Sequence, residues 1–122
     1  MPCDLYNLKE NRQTYSLLTN SNGGVIDDLM IANKVSYFQL VVNASQKKTD
    51  YQHLKNNISQ DFDIELEENK SLLAIQGPQS EDILSDINSS VKNMKFMDSI
   101  NSSLAGIDCS ISRSGYTGED GF

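Results

Sequence analysis

Two adjacent carboxylates, Asp27 and Asp28, stand inside the strand-like run Val25–Ile31, and a second apolar run ending in Asn43 follows them. An unpartnered buried carboxylate costs several kcal/mol, so acids in such a place are paired, hydrogen-bonded or in use. On the residue types alone this is an acid-lined pocket beside the tyrosines Tyr15 and Tyr37, if one of the acids looks into it. Two acids acting as a pair across one bond would have to share a face, and adjacent strand residues do not.

The elements that position these groups follow from turn chemistry and periodicity. Thr14–Asn20 is rich in β-formers, and Asn22-Gly23 is a strong two-residue hairpin signal, since a type I′ turn needs positive φ at both central residues. Counting outward from that turn sets Thr19 against Ile26, Leu17 against Asp28 and Tyr15 against Met30. Tyr15, Leu17, Ile26, Asp28 and Met30 then share one face, and Asp27 lies on the other with Val25, Leu29 and Ile31. On the residues alone Asp28 is either a solvated edge acid or a pocket acid, Asn43 is a helix cap or near-cap, and Tyr15 and Tyr37 are packing aromatics with wet hydroxyls.

Downstream, Asn33–Ser36 reads as a turn and Tyr37–Asn43 as a strand. A helix is expected from Ala44, with Ala44, Tyr51, Leu54 and Ile58 inward and Lys47, Lys48, Asp50, Gln52 and Lys55 outward. Phe62–Leu66 and Ser71–Gln76 read as strands, the second of them central. Gly77-Pro78 opens another helix, with Pro78 in its first position, Glu81 and Asp82 near its start, and a buried stripe of Ile83, Leu84, Ile87 and Val91. Lys92–Ser103 is ambiguous, and Leu104–Ser112 alternates as a strand. Arg113–Gly121, RSGYTGEDG, is either a hairpin connection or a binding loop. The class is α+β, antiparallel sheets with packed helices: residues 1–67 form one α+β subdomain and 70–122 begin a second, incomplete one.

Bulk properties exclude some functions. The 122 residues carry a formal charge of −7 with a pI near 4.5, which disfavours a nucleic-acid backbone binder. Hydrophobic content of 38% and mean hydropathy of −0.45 are low for a compact domain but above the disordered range. No apolar run is long enough to span a membrane, and Met1–Gln13 has neither signal nor transit character. Cys3 and Cys109, without metal-binding spacing, read as reduced thiols, with a disulfide between them the alternative, and His53 has no second ligand nearby, so no metal site is expected.

Taken together, YSLLTNSNGGVIDDL, LVVNAS, LLAIQGPQS and SRSGYTGEDGF resemble the aminomethyltransferase family, the T-protein of the glycine cleavage system, in order and approximate spacing from about Asp4 to Phe122. The resemblance implies transfer of a one-carbon unit from the aminomethyl-lipoyl arm of the H-protein to tetrahydrofolate, with release of ammonia. It implies that Asp28 is the catalytic carboxylate and that Tyr15, Asp28, Asn43 and Tyr116 line the folate site. Tetrahydrofolate would be a co-substrate, no metal would be needed, and the partners would be the lipoylated H-protein and folate, with neither nucleic acid nor membrane. The compartment implied is the cytoplasm of a bacterium or the mitochondrial matrix of a eukaryote. It also implies a fragment lacking an N-terminal segment and a C-terminal part: the family's pterin-binding glutamate would follow Phe122. The isolated residues are therefore expected neither to bind folate tightly nor to turn over. Two neighbouring readings remain at this stage. One is a folate-dependent demethylase or the folate domain of a sarcosine- or dimethylglycine-oxidising enzyme. The other is a non-enzymatic folate-binding relative linked to iron–sulfur maintenance, whose Cys-containing KGCYxGQE-like signature is replaced here by RSGYTGED.

Overall fold

A computed structural model describes residues 1–122. Strands β1 (Gln13–Thr19), β2 (Val25–Asn33) and β3 (Phe38–Val42) form an antiparallel sheet in that order. Helix α1 (Lys47–Asn57) follows β3. Helix α2 (Ser80–Ile87) runs into a 3₁₀ turn at Ser89–Asn93, and β4 (Ser99–Leu104) pairs with β5 (Ile107–Ser112) in a second antiparallel sheet. The α+β class expected from the sequence is what the chain adopts.

The first hairpin reaches the predicted register by a different route. Gly23 N–H donates to the Asn20 carbonyl at 3.0 Å and Asn20 N–H to the Gly24 carbonyl at 2.9 Å, so the loop has three residues rather than two. Only Gly23 has positive φ, and the Asn20 side-chain oxygen accepts from Asn22 N–H and Gly24 N–H at 2.9 Å each. This is a turn closed by a glycine bulge, not type I′. Alone it would slip the strands by one residue. A second irregularity between Leu18 and Thr19 restores Leu18↔Asp27, Leu17↔Asp28 and Tyr15↔Met30, while Thr19 faces Val25. One prediction fails as a result: Ile26 leaves the Asp28 face and packs against the core, and Val25 is exposed.

A true two-residue turn of positive φ occurs elsewhere. Leu104 pairs with Ile107, and the intervening Ala105 and Gly106 have φ of 50° and 80°. Alternation alone runs Leu104–Ser112 into one strand, because alanine is not a turn signal.

Two apolar clusters result. Leu18, Leu29, Ile31 and Leu54 form the first between sheet and α1, with Leu40, Val42, Ile58 and Ile64 packed against it. Leu84, Val91, Met94 and Ile111 form the second. Cys3 packs against the first and Cys109 against the second, both as free thiols. Fully burying side chains such as Leu18 and Ile31 contributes about 1.5–3 kcal/mol each. The sheets are stitched where β1 and β4 begin: Gln13 N–H donates to Met97 O, Ser99 N–H to Asn11 O, and the Arg12 guanidinium pairs with Asp98.

Other expectations change. Helix α1 starts at Lys47, because Ala44–Gln46 form a turn in which Gln46 N–H donates to Asn43 O. Phe62–Leu66 pairs with no strand; only its Ile64 is held by the core. Ser71–Gln76 is not a central strand. Ile75 and Phe122 exchange two 2.8 Å backbone bonds, Gln76 bridges Gly121, and Leu72 and Leu73 are 78% and 83% exposed. Pro78 lies in the turn before α2, and of its predicted stripe Leu84 and Val91 are buried whereas Ile83 and Ile87 face outward. Within α2 the inward line runs through Ser80 and Leu84, four residues apart, and Val91 joins the core from the 3₁₀ segment that follows.

Candidate functional site

Alternation along the first sheet gives it two unlike faces. Leu18, Leu29 and Ile31 point toward α1. The opposite face carries Gln13, Tyr15 and Leu17 from β1, Asp28, Met30 and Ala32 from β2, and Gln39 and Val41 from β3. A small cleft of about 50 Å³ opens on this face, lined in part by Gln13, Met30, Val41, Leu72, Ser99 and Ser110. Tyr15, 55% exposed, and Asp28 are diagonal neighbours beyond its end, since Tyr15 pairs with Met30 and Leu17 with Asp28.

Asn43 completes the group. It follows β3, whose Val42 pairs with Leu29, so it stands at the edge beside Asp28. Its Nδ2 donates to Asp28 Oδ1 at 3.0 Å, to Asp27 Oδ1 at 2.9 Å and to the Asp28 carbonyl at 3.3 Å. The side chain therefore caps no helix. It ties together two carboxylates that leave the strand on opposite sides. The amide bond to Asp27, foremost among its neighbours, holds that carboxyl below the usual carboxylate range.

A further acid lies behind this group. Asp50, expected on the outer face of α1, is only 1% exposed. Burial first, then the adjacent Asp27 carboxylate, pushes its pKa up to about 6. With the helix beginning at Lys47, Asp50 falls one turn before Leu54 on the inward stripe. That i, i+4 relation to Leu54 was the available signal; the polar residue type concealed it.

Tyr116 stands apart. It is 87% exposed, its N–H donates to Gln76 Oε1 at 2.7 Å, and no contact joins it to Tyr15, Asp28 or Asn43. Its loop is anchored by Arg113, which pairs with Glu81 and Asp120, donates to the Met94 carbonyl at 2.9 Å, and lies over the Phe122 ring at 5.1 Å. Of the four predicted residues the fold thus brings together three. Nowhere do three or more His, Cys, Asp or Glu side chains converge as a metal site, and no helix is long and apolar enough to cross a membrane.

A flat, partly polar ring system suits the Tyr15–Asp28 surface: an exposed aromatic face lies beside a carboxylate whose position is held by an amide. Such a carboxylate can accept from ring N–H groups or stabilise positive charge developing above it.

The family model described as the GCVT N-terminal domain matches residues 1–122. The chain is 42% identical over 127 residues to the aminomethyltransferase of Thermoanaerobacter sp. (strain X514), covering 98% of this chain and 34% of that protein. It is 40% identical over 129 residues to the mitochondrial aminomethyltransferase of Dictyostelium discoideum, covering 98% and 32%. The crystal structure of glycine cleavage system aminomethyltransferase T from Bartonella henselae superposes with a TM-score of 0.82 at 35% identity, over 98% of this chain and 33% of that one. The chain thus spans about a third of the length of these relatives.

Proposed function

We propose that this chain, which belongs to the GCVT N-terminal domain family, supplies the catalytic carboxylate and one wall of the folate site of a tetrahydrofolate-dependent aminomethyltransferase. The observation that carries the reading is Asp28, open on one sheet face beside Tyr15 and held by the Asn43 amide at 3.0 Å. Tetrahydrofolate supplies the nucleophilic nitrogen that accepts the one-carbon unit. Asp28 orients that nitrogen, holds or moves its proton, and stabilises the cationic carbon. Tyr15 offers a ring face and Asn43 fixes the carboxylate, with its amide oxygen left to accept from the pterin edge. Tyr116 would close over the ligand from the glycine-rich loop. The aminomethyl donor is the lipoyl arm of the H-protein, and the setting is the bacterial cytoplasm or the mitochondrial matrix. The two apolar clusters support a division into an α+β unit over residues 1–67 and a second from about 70.

The chain spans about a third of the length of its relatives, so by itself it should bind folate weakly and not turn over. The test is a chimera in which residues 1–122 replace the matching third of the Thermoanaerobacter relative. It should form 5,10-methylenetetrahydrofolate from aminomethylated H-protein, and Asp28→Asn should lower the rate about 100-fold or more. A folded but inactive chimera, or an Asp28→Asn chimera at the parent rate, would overturn the reading.

A further inference from the structure

Three buried carboxylate oxygens face one another without a donor: Oδ2 of Asp27 and both oxygens of Asp50. Carboxylates only accept when ionised, so the arrangement is unstable as two anions and satisfied once one of them is protonated. The two side chains are within hydrogen-bonding reach of each other, and no third ligand completes a metal site that could replace the proton. The other oxygen of Asp27 receives the Asn43 amide, whose same nitrogen reaches Asp28.

We propose that Asp27 and Asp50 hold one proton between them, and that this pair positions Asn43, and through it Asp28. Asp50 lies on α1 and Asp27 on β2, so the shared proton also clamps the helix to the central strand of the sheet. Asp27 is the one charged neighbour acting on Asp50, while Asp27 is flanked by Asp50 and Asp28. Neither member touches the solvent-facing surface where Tyr15 lies, so both are positioning residues. The proton sharing stands apart from the folate-pocket reading, on which only the importance given to Asn43 and Asp28 rests.

The sign of the pH effect follows from the pair. Asp50 binds its proton more tightly folded than unfolded, so its stabilising contribution is complete below about pH 4 and is lost as pH rises through about 6. The test is a carboxyl-carbon NMR titration of the 122-residue chain without folate, between about pH 4 and 8, for the native sequence, Asp27→Asn and Asp50→Asn. In the native chain one aspartate should titrate near 6, and the Asn43 side-chain amide signals should move with the same midpoint. In Asp50→Asn both changes should vanish, and its gain in urea midpoint over the native chain should grow from pH 4 to 7.5. In Asp27→Asn the Asp50 midpoint should fall toward the usual range.

Titration of every aspartate of the folded native chain below about pH 5 would overturn the shared proton. Asn43 signals that stay flat while Asp50 titrates would overturn the positioning role. If a variant fails to fold, the native titration still decides both points. The chimera assay bears on the pocket and this titration on the pair, so failure of one is distinguishable from failure of the other.

Discussion

The side-chain nitrogen of Asn43 lies 3.0 Å from Asp28 and 2.9 Å from Asp27, joining two acids that strand alternation sends to opposite faces. Replacing that donor by an acceptor tests what it holds. Asn43→Asp removes the amide donor and puts a third carboxylate against two others, so the folded state is penalised when all are charged. Stability should therefore fall increasingly as pH rises above the usual carboxylate range and recover on acidification, read from urea midpoints at about pH 4 and 7. In the chimera, Asn43→Ala should slow transfer roughly 10- to 100-fold by loosening Asp28.

Lys34 is 4% exposed, and its Nζ donates to Ser110 Oγ at 2.7 Å. Burial pushes its pKa down to about 8. A folded value below the unfolded one means that charging the buried amine destabilises the chain in full below about pH 8, and that the penalty fades as pH rises toward 10.5. Lys34→Met should stabilise the chain at pH 7 by an amount on the order of 2–3 kcal/mol, and the advantage should shrink by about pH 10. Denaturant titrations at the two pH values check this.

Arg113 serves Glu81, Asp120, the Met94 carbonyl and the Phe122 ring from one guanidinium. A lysine cannot reproduce that fork. Arg113→Lys should cost about 2–3 kcal/mol, with the loss in thermal unfolding accompanied by faster amide exchange in residues 114–121.

The two hairpins predict opposite results for asparagine. Ala105 is held at a φ of 50°, which asparagine tolerates better, so Ala105→Asn should stabilise by about 0.5–1 kcal/mol. Asn22 has no positive φ, and Asn22→Ala should change the urea midpoint little. A large loss at Asn22 would return the first hairpin to a type I′ turn.

Gly115 combines a φ of 59° with a Cβ position that would collide with the Glu119 carbonyl oxygen, whereas Gly118 has positive φ and open space around it. Gly115→Ala should cost about 1–3 kcal/mol and disturb the loop carrying Tyr116; Gly118→Ala should cost clearly less. Thermal unfolding of the two variants gives the comparison.

Strand alternation made the separation of Asp27 from Asp28 legible in the linear chain, because a period of two follows from backbone geometry and survives errors in the turn. Here it did: the predicted turn type was wrong, yet a compensating bulge kept Tyr15 against Met30 and Leu17 against Asp28. Residue type misled where burial depends on what packs from afar. Asp50 looked like surface, and Leu72 and Leu73 looked like core, but Asp50 is buried beside Asp27 and no strand of this chain pairs with Leu72 or Leu73.

By itself the sequence determined the α+β class, the pairing of Tyr15 with Met30 and of Leu17 with Asp28, the opposed faces of the two aspartates, and, through its motifs, the family. These are local: they rest on alternation, turn-formers and residue order. Only the tertiary structure decided that Asn43 bridges both acids instead of capping a helix, that Asp50 lies against Asp27, and that Tyr116 is held in a loop away from the other three. Each of those depends on where α1 and the second sheet come to rest against the first. That is set by side-chain packing between residues distant in the chain, which no local periodicity encodes.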